Sequence, residues 1–267
     1  MKPLESMDPA VWLDASAITA TGENDAVLRW PDRSGHRRDA VYVPFVINWD
    51  TGVRLYHQPP TLNPNAINGL PAVSFNALFG QTLLLTEAGG ALDRKVVGFT
   101  ALFVARSRLI QPQVGAKYLL ITHNREDHFG EKREAGNTRF AVMRNGESGA
   151  MRMHVRRGKK EPSGIFEVEA EAGQFGDMEW GVSTFIMDYA MNSAAMRTNA
   201  REIASQEMPG SGETEDFDSP IIAIASTSEG NYLTCDIAEI TCFPRLLADD
   251  ELVELEAVLL HKYGIAV

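Results

Sequence analysis

No apolar run in this chain approaches the roughly 20 residues that a membrane-crossing helix needs. The first residues, Met1 to Pro9, carry Lys2, Glu5 and Asp8 and lack the apolar core of a secretory signal. The expectation is a protein made in the cytosol, with an extracellular place as the alternative had a signal been removed. Cysteine is scarce, with 2 in 267 residues, Cys235 and Cys242. On a strand, at about 3.3 Å per residue, their spacing puts them roughly 23 Å apart. A disulfide needs Cα atoms within about 7 Å, so two unpaired, buried thiols are expected. Basic charge is in deficit: 25 Lys and Arg against 36 Asp and Glu give a net charge of −11. Such a chain repels the phosphate backbone and anionic lipid, so neither nucleic acid nor a membrane is an expected partner. The G-x-S-x-G, P-loop, G-x-G-x-x-G and C-x-x-C signatures are all missing, and with them the common hydrolase, nucleotide and zinc sites.

What remains is ordinary globular material, 44% hydrophobic and 23% charged. There is no internal repeat and no linker, and all-β sandwiches run to about 200–250 residues as one unit. One domain over 1–267 is expected. Phe99 to Ala105 is apolar on both alternating sets and reads as a central strand covered on both faces. Met151 to Arg156 alternates, with Met151, Met153 and Val155 inward and Arg152, His154 and Arg156 outward. Lys117 to Thr122, Arg139 to Arg144, Trp180 to Tyr189, Ile221 to Ala225 and Asp236 to Phe243 read as further strands. Turn clusters such as Asn145-Gly146 and Pro209-Gly210-Ser211-Gly212 separate them. One helix is expected from Asp249 to Tyr263, where Leu252, Leu255 and Leu259 form an apolar stripe. Asp249, Asp250 and Glu251 at its start and Lys262 at its end complement the dipole, and Gly264 supplies the stop. Pro44 to Asn68 and Gly210 to Ser219 read as long irregular stretches.

Several blocks resemble a known family. Val11-Trp12-Leu13-Asp14-Ala15-Ser16 is similar to the opening strand of bacterial and phage LamG-like, concanavalin A-like modules. Trp30-Pro31-Asp32-Arg33-Ser34-Gly35 resembles their W-x-D-x-S-G turn, and Asn68 to Phe75 their N-G-L-P-A-V-x-F strand. Asp236 to Ile240, Pro244 to Leu247 and Lys262 to Ile265 look like their closing segment. The resemblance implies an all-β jelly-roll sandwich of two antiparallel sheets with one C-terminal helix. It does not imply a function, because the fold hosts lectins, hydrolases and virion parts alike. Two positions depart from the pattern: Asn76-Ala77 stands where Asp-Gly often follows the phenylalanine, and Ala248 stands where Ser or Thr usually caps the helix. The matched residues read as fold-building. Asp32 and Ser34 are placed to bond backbone amides in a turn, and Trp12 and Trp30 to fill the core.

Glycoside hydrolysis needs two carboxyls about 5–5.5 Å apart in retaining enzymes. The nearest register to a jelly-roll glucanase strand is Thr234 to Glu239, where a threonine replaces the first acid. On a regular strand Asp236 and Glu239 face opposite ways, so no catalytic pair is expected. Glu167, Glu169 and Glu171 share a strand face and read as a solvated edge. His123, Asp127 and His128 read as a loop rather than a transition-metal site, and no cofactor is expected. Calcium is the one ion with candidate ligands: Asp14, Asp32 and Asn76, with Asp216 and Asp218 equally available.

The expectation is a non-catalytic binding or structural module. Its partners would be proteins of a virion, as a head-decoration or tail component, or of another assembly, self-association included. The alternative is a lectin-like module on a surface glycan. Candidate binding residues are the aromatics Trp49, Tyr56 and His57 and the basic stripe of Arg152, His154 and Arg156, with Arg157, Lys159 and Lys160 nearby.

Overall fold

The side chains of Phe99 to Ala105 leave the backbone alternately to two sides, and both sets are buried. Such a strand has to sit mid-sheet between two covered layers. A computed structural model of the protein describes residues 4–48, 53–85, 96–108, 116–123, 140–145, 149–155, 166–171, 178–208, 221–226 and 232–266. In it this strand, β9 (Gly98–Ser107), lies inside the first sheet. The order there is β16 (Arg201–Glu207), β15 (Ser193–Thr198), β14 (Gly181–Asp188), β9, β18 (Cys235–Phe243), β7 (Leu70–Phe75) and β6 (Thr61–Ile67). The short β1 (Val11–Asp14) pairs with the far half of β18. The second sheet runs β13 (Phe166–Glu169), β12 (Met151–Val155), β11 (Phe140–Asn145), β10 (Ala116–His123), β17 (Ile221–Ile224), β8 (Leu83–Leu85), β3 (Ala40–Val41) and β2 (Arg29–Trp30). The described pairings are all antiparallel. The chain is thus an antiparallel β-sandwich with a C-terminal helix.

The main core fills the space between the sheets, where Trp30, Phe75, Phe103, Phe185, Ile224 and Met153 meet. A second apolar layer lies on the outer face of the first sheet. There Leu102, Val104, Val182, Ala238 and Phe243 pack under Leu252, Leu255 and Leu259 of α1 (Asp249–Tyr263). The stripe read from the sequence is therefore the buried face of this helix. Ala248 occupies the cap position and offers no side-chain bond, but the Glu251 carboxylate reaches back to its N–H at 3.1 Å. The other end stops at Gly264, left-handed at φ 60°. Asn68 donates its side-chain amide to the Tyr263 carbonyl there. Asn68 and Gly69 (φ 48° and 81°) form the two-residue turn between β6 and β7, so a hairpin turn caps the helix.

Two expectations about organisation are corrected. Pro44 to Asn68 is not irregular, since it holds the hairpin β4 (Phe45–Asn48) and β5 (Val53–Tyr56) and then β6. Pro64 and its flanking asparagines sit in an edge-strand irregularity between Asn63 and Ile67, a position that accepts a proline. Asp236 and Glu239 do not face opposite ways either. The register of β18 against β9 slips between Ile237 and Glu239, the mark of a bulge. Cys235, Ile237, Ile240 and Cys242 then face the main core, while Asp236, Ala238 and Glu239 all face the outer layer.

Cys235 and Cys242 are free and buried, and burial pushes both thiols far above their usual range. Ellman's reagent is expected to find no reactive thiol in the folded protein and 2 equivalents once it is unfolded without reductant. Fewer than 2 in the unfolded chain would mean a covalent partner that the free pair excludes.

Candidate functional site

The acids that could have formed a catalytic pair are occupied. Glu239 accepts from Trp12 Nε1 at 2.6 Å, Lys262 Nζ at 2.7 Å and Tyr263 Oη at 2.8 Å, beneath the helix. Asp236 accepts from Ser74 Oγ at 2.6 Å and Arg106 Nε at 2.7 Å, with Arg108 Nε 3.1 Å away. Both carboxylates are thus committed to donors of their own protein. Asp14 is held likewise, by Lys262, Arg33 and Ser16. Asp32 accepts from the backbone N–H groups of Trp12, Ser34 and Arg38, which is the turn its sequence context predicts, with Gly35 at φ 87°. The Asn76 side chain caps the turn that follows it by accepting from the Leu78 N–H. The calcium candidates Asp14, Asp32 and Asn76 thus serve the fold. Among the described residues no group of three or more His, Cys, Asp or Glu converges as for a metal. Asp127, His128, Asp216 and Asp218, and the His123 side chain, lie outside the described residues.

The basic stripe has acidic neighbours where it is described. Arg152 and His154 do point away from the core, but β13 lies alongside and brings the acidic row to them. Arg152 reaches Glu169 at 2.8 Å and Glu167 at 3.4 Å. His154 Nε2 is 2.7 Å from Glu167 Oε1. Burial pushes the His154 imidazole below its usual range, with Glu167 opposing and Arg152 adding to the shift. Two rows that read separately as a basic stripe and an acidic edge are one paired ladder. Arg156, Arg157, Lys159 and Lys160 lie outside the described residues, as does Trp49.

The aromatic candidates divide. Tyr56 is 72% exposed at the end of β5, its ring 6.0 Å from that of Phe45. His57, the next residue, turns inward and is buried, which corrects its reading as an exposed contact. Tyr232 Oη meets its Nε2 at 2.7 Å, the two rings edge to face. Tyr42 Oη donates to its carbonyl at 2.7 Å, and burial pushes the imidazole below its usual range. His57 is therefore the support on which Tyr56 stands.

That support joins a second segment. The Gln58 N–H donates to the Phe79 carbonyl at 3.1 Å, and Gly80 packs beside His57 and Tyr232. Residues 77–79 form a short helical turn, capped by Asn76 and braced by Gln81, whose side chain accepts from Asn76 N and donates to the Pro59 carbonyl. This turn holds Leu78 87% exposed and Phe79 49% exposed. Tyr56, Leu78 and Phe79, exposed on two segments that the Gln58–Phe79 backbone bond joins, are termed the rim. The sequence carried one signal for it, two large apolar residues between the turn formers Asn76 and Gly80.

No family model and no curated protein sequence matches the chain. Solved structures do. The binding domain of botulinum neurotoxin serotype G is 12% identical with a TM-score of 0.61, over 94% of this chain and 51% of that one. The binding domain of Paraclostridial Mosquitocidal Protein 1 is 13% identical with a TM-score of 0.61, over 96% and 53%. The binding domain of botulinum neurotoxin DC in complex with rat synaptotagmin II is 11% identical with a TM-score of 0.52, over 96% and 52%. The chain spans about half the length of these structures. At this identity the likeness establishes the β-sandwich.

Proposed function

We propose that this chain is a non-catalytic binding module that docks a protein partner through the rim of Tyr56, Leu78 and Phe79. The observation that carries the reading is their exposure on a rigid base. Large apolar side chains held in water by a braced turn add nothing to the fold, and clustered exposure of this kind marks interaction sites. A sugar would need several polar groups beside the aromatic surface, and the rim offers chiefly apolar ones. A protein neighbour suits it better, whether in a virion or in another assembly. The solved structures named above are themselves binding domains, but at 11–13% identity they support the sandwich and not the partner.

The test is affinity capture from the source cells with the native chain and with a Leu78→Asp/Phe79→Asp variant. Both side chains are exposed, so the variant should melt within a few degrees of the native chain, consistent with surface changes of about 0.5 kcal/mol each. A protein retained by the native chain and lost by the folded variant is the expected result. Equal capture by both would remove the rim from the proposal.

A further inference from the structure

The helix covers only part of the outer face of the first sheet. Beyond its last turn that face opens into a cleft of about 400 Å³ between β6, the end of β9, the start of β14 and the β15–β16 turn. Its volume lies within the ~300–1,000 Å³ of small-ligand sites. From the groups that line it we infer that the cleft binds a neutral saccharide.

The lining carries polar atoms that the fold leaves uncommitted. Arg106 uses Nε for Asp236 and lies 5.0 Å from the Trp180 ring, which fixes its guanidinium, while its terminal nitrogens make no hydrogen bond among the described residues. The Trp180 indole N–H is buried and has no hydrogen-bond partner among the described residues. Asn199 gives its side-chain oxygen to the Val182 N–H at 2.9 Å, which leaves its amide nitrogen as a donor. Asn68 uses its amide nitrogen on the Tyr263 carbonyl, which leaves its oxygen as an acceptor. Glu179 is exposed at the lip. Ile265 and its neighbours supply an apolar wall.

Donors and acceptors thus line one cavity beside an apolar surface. A ligand that matches has hydroxyls, each able to give and take a hydrogen bond, on a face of C–H groups. That is the chemistry of a sugar ring. An anion is the poorer match, because Arg106 is already paired with Asp236, Glu179 stands at the entrance and the chain carries a net charge of −11. The backbone supports a built site. Asn199 and Ala200 both adopt left-handed φ, 48° and 62°, in the turn that presents Asn199. Left-handed φ at both central positions is what this two-residue hairpin turn requires, and the turn holds Asn199 at the cleft. This cleft and the rim are separate observations, and neither depends on the other.

The test titrates cellobiose, maltose, lactose and sialyllactose into the full chain at millimolar concentrations and follows the tryptophan indole N–H signals by NMR. The Trp180 signal, assigned by its loss in Trp180→Phe, should move with at least one of the neutral disaccharides. Trp180→Phe, which shrinks the aromatic surface lining the cleft, and Glu179→Ala, which removes an acceptor at its lip, should each weaken binding about tenfold. Leu78→Asp should leave it unchanged. Sialyllactose should bind no more tightly than lactose. The inference is overturned if no neutral disaccharide moves the signal, if both cleft variants bind as the native chain does, or if sialyllactose is preferred.

Discussion

Replacing Glu239 by Ala is expected to lower the free energy of unfolding by about 3–5 kcal/mol, the range for breaking a buried ion pair by removing one partner. The carboxylate is 2% exposed and holds three donors from two parts of the chain: Trp12 on β1, and Lys262 and Tyr263 at the end of α1. Without it, the indole N–H and the phenol O–H lose their acceptor in a region that water does not reach. Lys262 keeps only Asp14, at 2.8 Å. Burial alone would lower the Lys262 pKa, yet Glu239 and Asp14 hold it above its usual range, so the ammonium stays charged. Urea unfolding at neutral pH, followed by circular dichroism, measures the loss. A cost below about 1 kcal/mol would place the pair among surface bridges and deny that it ties helix to sheet. The same network predicts acid sensitivity. Burial would raise the Asp14 pKa, but its bonds from Lys262 and Ser16 hold it below 3.8. As pH falls the unfolded chain takes up that proton first. The stability contributed by Asp14 is therefore present above about 3.8 and is lost as pH drops through its folded value.

The sandwich was legible wherever the side-chain period was unbroken. Phe99 to Ala105, with both faces apolar, declared a central strand, and Met151 to Val155 a half-covered one. The helix was equally clear from its leucine spacing and terminal charges. Periodicity failed where the backbone slips. One extra residue in β18 moves Asp236 and Glu239 onto the same face, and no pattern of residue types announces that bulge. It also failed on the edge pair β15 and β16, whose Ala, Met, Glu and Gln residues have little strand preference and whose outer member is mostly exposed. The turn between them would have been plain as Asn-Gly, but it is Asn199-Ala200.

The binding residues were legible only in part, because partners come from register and not from sequence. Arg152 and His154 looked like an unpaired stripe until β13 set Glu167 and Glu169 beside them, 13 to 17 residues further on. Tyr56 and His57 are adjacent, so at a strand end one faces water and the other the interior. Composition treats both as candidate contacts, and the pleat separates them.

Replacing Trp30 by Ala is expected to cost about 3–5 kcal/mol, while Trp30→Phe should cost less than about 1.5 kcal/mol. The indole is fully buried in the main core, on a two-residue strand opposite Ala40. Truncation leaves a cavity whose cost depends on how far the surroundings collapse. Collapse is restricted here, because Asp32, two residues on, is fixed by the backbone N–H groups of Trp12, Ser34 and Arg38. Phenylalanine keeps a ring in that space and loses some apolar area. It also removes the indole N–H, which is buried with no acceptor among the described residues. An unsatisfied buried donor costs about 1–3 kcal/mol, so its removal offsets much of the lost packing. Chemical unfolding of the three proteins, followed by circular dichroism so that the indole is not the probe, separates the contributions. If Trp30→Phe costs as much as Trp30→Ala, the indole N–H has an acceptor after all, and the residue holds the core by a hydrogen bond as well as by its volume.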